Sequence, residues 1–221
     1  MLTSEPKRKR NARGEGNRLK AELIEAAMRL LDRAPDTSLS LRRVARAAGI
    51  AAPSVYRQFA DARSMMTEIV RECWLRMADA MEEAARESEA ASALGDLKAR
   101  MRGFVLHAMA RPSRYQLLFA MRPIDPSTGL GMPGPLAPAY WSVERSLQAI
   151  VKAGGRLPAP DVFTSALLVL SIAHGRIALG HLAPNRPGNS AQSVAAFVSN
   201  TLDMLFVLHA DLATNEGRSV I

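Results

Sequence analysis

Between Thr37 and Phe59 the chain reads TSLSLRRVARAAGIAAPSVYRQF, and this stretch restricts the fold more than any other. Leu41, Val44 and Ala45 recur at i, i+3 and i+4, the spacing of one apolar face of a short helix. Ala48-Gly49-Ile50 interrupts that helix, and Gly49 can enter the left-handed backbone that a tight turn needs. A second short helix follows, with Pro53 in its first turn and Val55, Tyr56 and Phe59 at i, i+1 and i+4. Two short helices joined at a glycine turn make a helix-turn-helix, whose second helix is expected to lie in the major groove of DNA.

Charge is distributed in the way this motif requires. The formal net charge is +8, and residues 1–70 carry 14 Lys/Arg against 8 Asp/Glu, whereas residues 71–221 carry 15 against 13. The excess cations therefore accompany the helix-turn-helix, where phosphates would be neutralised. Residues 1–17, with Lys7, Arg8, Lys9 and Arg10 consecutive, read as a disordered basic arm. Such an arm either reaches along DNA or simply solubilises the chain.

The remaining periodicity is helical throughout, so the chain is expected to be all-α. Leu19, Leu23, Ala27, Leu30 and Leu31 stripe a first helix that ends before Pro35-Asp36 and completes a three-helix unit. A fourth helix is expected from a cap at Asp61 to about Ser88, with Met65, Ile69, Cys73, Met77 and Met81 repeating every four residues. Beginning in the DNA-binding unit and ending in the second domain, it has the layout of a lever. Further helices are expected at 96–109, 113–121, 139–153 and 161–181, with a last one capped by Asn189 or Ser190. Residues 122–138, rich in Pro and Gly, read as a long loop. The helix from Asp161 to His181 is apolar on nearly every side, which implies burial on all faces. Together with the helix after it, it suits a four-helix interface between two subunits. The domain organisation that follows is an arm at 1–17, a DNA-binding domain at 18–62, a helical effector-binding and dimerisation domain at 63–213, and a disordered tail at 214–221.

Several chemistries find no support in the residues. Cys73 is the single cysteine, which excludes an intrachain disulfide and suits a reducing cytoplasm. No apolar segment follows the N-terminal cations, as a secretory signal would need. The run Val162–Ala173, closed by His174, Gly175 and Arg176, is shorter than the ~20 residues of a membrane span, so no membrane partner is expected. Gly-rich phosphate loops, nucleophile elbows and His-Glu-x-x-His motifs are missing. His174 and His181, two turns apart, are better read as core histidines than as metal ligands, and neither metal nor cofactor is expected. Glu82-Glu83, the one carboxylate pair considered, sits in a charged stretch read as surface.

The run LRRVARAAGI followed by SVYRQF resembles the DNA-binding domain of the TetR family of transcriptional repressors, over roughly residues 18–75. Three positions depart from the family pattern. Ala51 stands where a Ser or Thr cap is usual, removing about 1 kcal/mol of capping. Gln58 replaces a common His, and Ala62 replaces a phosphate-contacting Lys, with Arg63 one residue later. By the resemblance, Ala52, Pro53, Ser54 and Arg57 would face the groove. Arg57 is suited to guanine, while Ala52 and Pro53 could touch a thymine methyl. Tyr56 would hold a phosphate, with Thr37, Ser40, Arg42, Gln58 and Arg63 as further contacts.

The resemblance also implies a homodimer on a double-stranded, palindromic operator, and a small apolar effector bound in the C-terminal domain. Met77, Phe104, His107, Tyr115, Phe119, Trp141 and His174 are the candidate lining residues. His174-Gly175, with RYQLLF upstream, is similar to a TetR ligand-domain subclass named for a Trp-His-Gly motif, although no Trp closely precedes His174. The alternative keeps the DNA-binding domain and gives the C-terminal half a dimerising or protein-interaction role without an effector. A helical enzyme would need a catalytic cluster that the sequence does not offer.

Overall fold

The structure is a computed structural model and describes residues 15–33, 39–120 and 134–216. Among these residues every regular element is helical: α1 Glu15–Arg33, α2 Leu41–Ala48, α3 Ala52–Tyr56, α4 Ala62–Glu87, α5 Ala93–Ala110, α6 Pro112–Ala120, α7 Ala137–Lys152, α8 Val162–Leu182 and α9 Ala191–Glu216. A short 3-10 turn, Gly134–Leu136, precedes α7. Two compact units divide between Ile69 and Val70, inside α4.

In the first unit α2 packs on α1 and α3. Leu23, Ala27, Met28, Val44, Val55, Met65 and Ile69 are fully buried, so the apolar stripes read from the sequence form the core. Ser40 caps α2, its hydroxyl accepting from the Arg43 N–H at 3.3 Å. Gly49 ends α2 at φ 65°, and the Ile50 N–H reaches back to the Ala45 carbonyl at 2.9 Å. That closure turns the chain sharply into α3. Ala51 gives α3 no side-chain cap, and only Pro53 in its first turn pre-sets the backbone. At the start of α4, Asp61 accepts from the Ser64 N–H at 2.7 Å while Ser64 Oγ accepts from the Asp61 N–H at 3.2 Å, a reciprocal cap.

In the second unit α5 is central, in contact with α6, α7, α8 and α9. Gly103 is buried, and a Cβ there would stand 2.4 Å from the Ala80 carbonyl oxygen and 2.8 Å from Ala84 Cβ. The backbones of α4 and α5 thus meet directly at a position only glycine can fill. One turn earlier on α5, Arg100 is buried between two carboxylates, 2.6 Å from Glu82 on α4 and 2.8 Å from Asp96. Two serines of α7 complete the cluster. Ser142 accepts from Arg100 at 3.0 Å and donates to Glu82 at 2.8 Å, and Ser146 donates to Asp96 at 2.6 Å. Burial pushes both carboxyls up, but the hydrogen bonds from Arg100 and the serines outweigh it and hold each below its ordinary value.

Five sequence expectations need correction. Glu82 is half-buried rather than fully in solvent, because its carboxylate is paired with the buried Arg100 guanidinium. Helix α1 already contains residues 15–17 of the expected arm, and α9 runs to Glu216, into the expected tail. Met1–Gly14 of the arm, residues 121–133 of the long loop and 217–221 of the tail lie outside the described residues. Burial of α8 is one-sided: Ser165, Ala166, Val169, Ala173 and Ile177 face the core, while Phe163, Leu167, Leu179 and Leu182 are exposed. Finally, the apolar run read as too short for a membrane span belongs to the expected helix at 161–181, and that helix, α8, has 21 residues and is long and apolar enough by length and composition to cross a membrane. It packs one face on α5, α7 and α9.

Arg100→Ala leaves Glu82 and Asp96 without their cation, and should destabilise the second unit by about 3 kcal/mol. Urea denaturation followed by circular dichroism measures this; a change within error means the cluster does not hold α4, α5 and α7 together.

Candidate DNA-binding and effector sites

Helix α3 owes its placement to the residues behind it. Val55 and Phe59 are buried, and the Phe59 N–H bonds the Val55 carbonyl at 3.0 Å, carrying the helical turn past Tyr56. Lys20 of α1 lies over the Phe59 ring at 5.9 Å and pairs with Glu68 at 2.9 Å. With those anchors inward, the opposite side of α3 is left to solvent. Tyr56 is 50% exposed, and Pro53 and Arg57 are exposed as well. Arg57 Nη2 donates to Ser54 Oγ at 2.9 Å, so the two side chains able to donate to bases are brought together on that side. Ala52 and Gln58 are half-buried, and Arg42 and Arg63 are exposed. The Ser40 hydroxyl is engaged as the α2 cap, and Thr37 lies outside the described residues.

In the second unit the candidate effector residues converge on Tyr115 of α6. Its ring meets Phe119 at 5.1 Å, His174 at 5.8 Å, Phe104 at 6.1 Å and His181 at 5.6 Å between centroids. Its hydroxyl is hydrogen-bonded to His174 Nδ1 at 3.0 Å. Phe119 lies 4.1 Å from the His174 ring and edge-on to Trp74 at 5.7 Å. Burial raises the Tyr115 phenol well above its ordinary value and lowers both His174 and His181, so at neutral pH this is an uncharged cluster. Trp141 does not join it. The buried side of α7 runs through Tyr140, Val143, Leu147 and Ile150, which turns Trp141 outward, 52% exposed.

Met77, His107 and Tyr115 line a recess between α4, α5 and α6 that also holds Cys73, Leu118 and three arginines, Arg76, Arg111 and Arg114. The recess is small, at about 10 Å³. Sequence reading missed these arginines because it looked for apolar linings. A signal was available in Arg111 and Arg114 flanking Pro112, where one helix must stop and another start. His107 feels them: burial first, then Arg111, Arg114 and Arg76, push it down to about 4.

Residues 23–69 match the family model of bacterial regulatory proteins, tetR family. The matched segment holds the helix-turn-helix of α2 and α3. No curated protein matches the chain in sequence. Among solved structures it is similar to a protein of unknown function from Rhodococcus sp. RHA1 (22% identity, 90% of this chain and 97% of that one, TM-score 0.68). It is also similar to a TetR family transcription regulator from Marinobacter aquaeolei VT8 (14%, 88% and 98%, TM-score 0.61). A third likeness is to the transcriptional regulator FadR from Bacillus subtilis, solved in complex with stearoyl-CoA (14%, 84% and 97%, TM-score 0.66). At these identities the likeness is one of fold.

Because His107 titrates below its unfolded value, the folded chain binds fewer protons there. The stability this contributes is complete above pH 6.5 and is lost as pH falls toward about 4. Thermal melts across that range should show a decline that shrinks in His107→Gln; identical pH profiles contradict the assignment.

Proposed function

We propose that the chain is a ligand-responsive repressor that binds a palindromic operator as a homodimer. The observation that carries the DNA-binding half is the Ser54–Arg57 pair on the solvent side of α3, held at 2.9 Å while Val55 and Phe59 anchor the helix from behind. Arg57 is the base-reading side chain in this reading, preferring guanine, and Ser54 assists it. Tyr56 offers its hydroxyl to a phosphate, with Ser40, Arg42, Gln58 and Arg63 around it and Thr37 as a further contact. Such contacts fix register without reading sequence.

Dimerisation is supported by the apolar side chains that α8 and α9 leave in water. Phe163, Leu167, Leu179 and Leu182 follow one another along α8, and Phe197 and Met204 along α9. Leu179 is 61% and Leu182 83% exposed, which argues for a covering surface. A second copy presenting the same pair of helices would give a closed four-helix contact. It would set the separation of two recognition helices, and so the half-site spacing of the operator. The same packing accounts for the apolar character of α8 in a cytoplasmic protein.

Effector binding is the third part of the proposal. Its support is the uncharged cluster of Phe104, Tyr115, Phe119 and His174 beside the recess at Met77 and His107, in a fold that FadR shares. His174 of the His-Gly pair contributes directly to that cluster, which favours a ligand domain of the Trp-His-Gly type. A ligand that fits only one conformer shifts the population toward it and lowers operator affinity by the ratio of its two affinities. Helix α4, continuous from Ala62 to Glu87, is the element proposed to transmit the change.

Arg57→Ala should weaken specific DNA binding by about 1–3 kcal/mol and relax preference at one base step per half-site. Tyr56→Phe should weaken it with the sequence preference unchanged. Selection from randomised duplexes followed by titration reads both; an unaltered preference in Arg57→Ala removes its base-reading role. Replacing Leu179 and Leu182 together by Glu should yield monomers in sedimentation velocity and abolish operator binding while the helical content stays. A dimer that persists puts the subunit contact elsewhere.

A further inference from the structure

We infer that His181 is the polar handle of the effector site: its ring accepts a hydrogen bond from the hydroxyl of an aromatic alcohol, a phenol, whose own ring lies among Tyr115, Phe119 and His174. The inference deepens the effector reading above and rests on it. It adds a residue to the site and narrows the expected ligand from an apolar compound to an aromatic hydrogen-bond donor.

Among the described residues three buried side-chain polar atoms have no hydrogen-bond partner: the Ser165 hydroxyl and both ring nitrogens of His181. Polar atoms shut away from water are nearly always paired, so each exception asks for its missing partner. A serine hydroxyl turns about one bond and can reach the carbonyl one turn back in its own helix. The imidazole has no such recourse. It stands edge-on to the Tyr115 ring at 5.6 Å, near the C-terminal end of α8. One residue earlier a Cβ on Gly180 would lie 3.0 Å from Met109 Cε, so α8 runs close to α5 here. The nearby polar groups do not serve the ring. The Tyr115 hydroxyl is already bonded to His174 Nδ1 at 3.0 Å. The Ala108 carbonyl of α5 favours a proton on His181 but forms no hydrogen bond of ordinary geometry with it. A neutral imidazole has one N–H and one lone pair, and with a carbonyl on the N–H side the unmet need is for a donor. A ligand O–H supplies one; an ether, a ketone or a carboxylate does not.

The surroundings give the second property of the ligand. Tyr115 meets Phe104 and Phe119 as well as His181, and Phe119 lies 4.1 Å from the His174 ring. A flat aromatic molecule among these rings finds edges and faces to pack against, as they do with one another. Phe119 is 46% exposed, which opens the cluster to solvent on that side. Ala108 and Tyr115, which adjoin His181, also line the recess toward Met77 and Leu118. At about 10 Å³ that recess holds little more than one water-sized sphere, so the ligand must widen it. Widening moves Tyr115, and with it the hydrogen bond to His174. A contact at His181 is thereby converted into a rearrangement of the aromatic cluster.

2-Naphthol, 2-methoxynaphthalene and naphthalene share one ring system and differ in what they offer His181: a donor, an acceptor alone, and neither. Calorimetric titration of the full-length protein should show 2-naphthol binding at least about tenfold more tightly than the other two. In His181→Phe that preference should disappear while naphthalene binding stays. Should the variant fail to fold, nitrogen-15 spectra of the wild-type histidines provide the second measurement. One His181 ring-nitrogen resonance should move on adding 2-naphthol and hold still with naphthalene. A preference for 2-naphthol that survives His181→Phe overturns the assignment, and 2-methoxynaphthalene binding as tightly as 2-naphthol overturns the donor requirement. Equal binding of all three, with the His181 resonances unmoved, overturns the handle and leaves the effector reading standing. If no probe binds at all, the effector reading falls with it.

Discussion

The second unit depends on one buried cation. Arg100 is fixed by Glu82 and Asp96 and braced by Ser142 and Ser146, so α4, α5 and α7 share one polar junction. Apolar packing tolerates small slides and rotations, whereas a guanidinium between two carboxylates accepts one register only. Close by, Gly103 lets the backbones of α4 and α5 touch, which reinforces the same register. Everything placed by α5, including the wall of the Tyr115 cluster and the floor of the recess, inherits that alignment.

Much of this architecture was legible in the sequence because it is helical and its apolar side chains are spaced accordingly. The stripe at Met65, Ile69, Cys73, Met77 and Met81 is buried along its whole length, and Asp61, Asp161 and Ser190 cap helices near the expected positions. The left-handed residue at Gly49 was likewise readable, since few other residues can end a helix that way. The Arg100 cluster was not. It joins positions 42 and 60 residues apart, and nothing local to Glu82 distinguishes a carboxylate turned inward from one in water.

The candidate sites were legible unevenly for related reasons. On α3 the buried Val55 and Phe59 fix the phase of so short a helix that the exposed positions follow at once. Trp141 was assigned by its chemistry, although Tyr140, Val143, Leu147 and Ile150 already fix a helical phase that sends it outward. Arg76, Arg111 and Arg114 were passed over for the opposite reason: arginine in a helical sequence is ordinarily a solvated side chain, and only the crossing of three elements reveals a shared recess.

Helix α3 is five residues long, begins at an uncapped Ala51 and has too few backbone bonds to persist alone. Its shape is imposed from the rear by Val55 and Phe59, and the outward positions contribute little to it. Those positions are consequently free to drift. A lineage could rewrite which promoter it recognises, one outward residue at a time, without first re-solving how the domain folds.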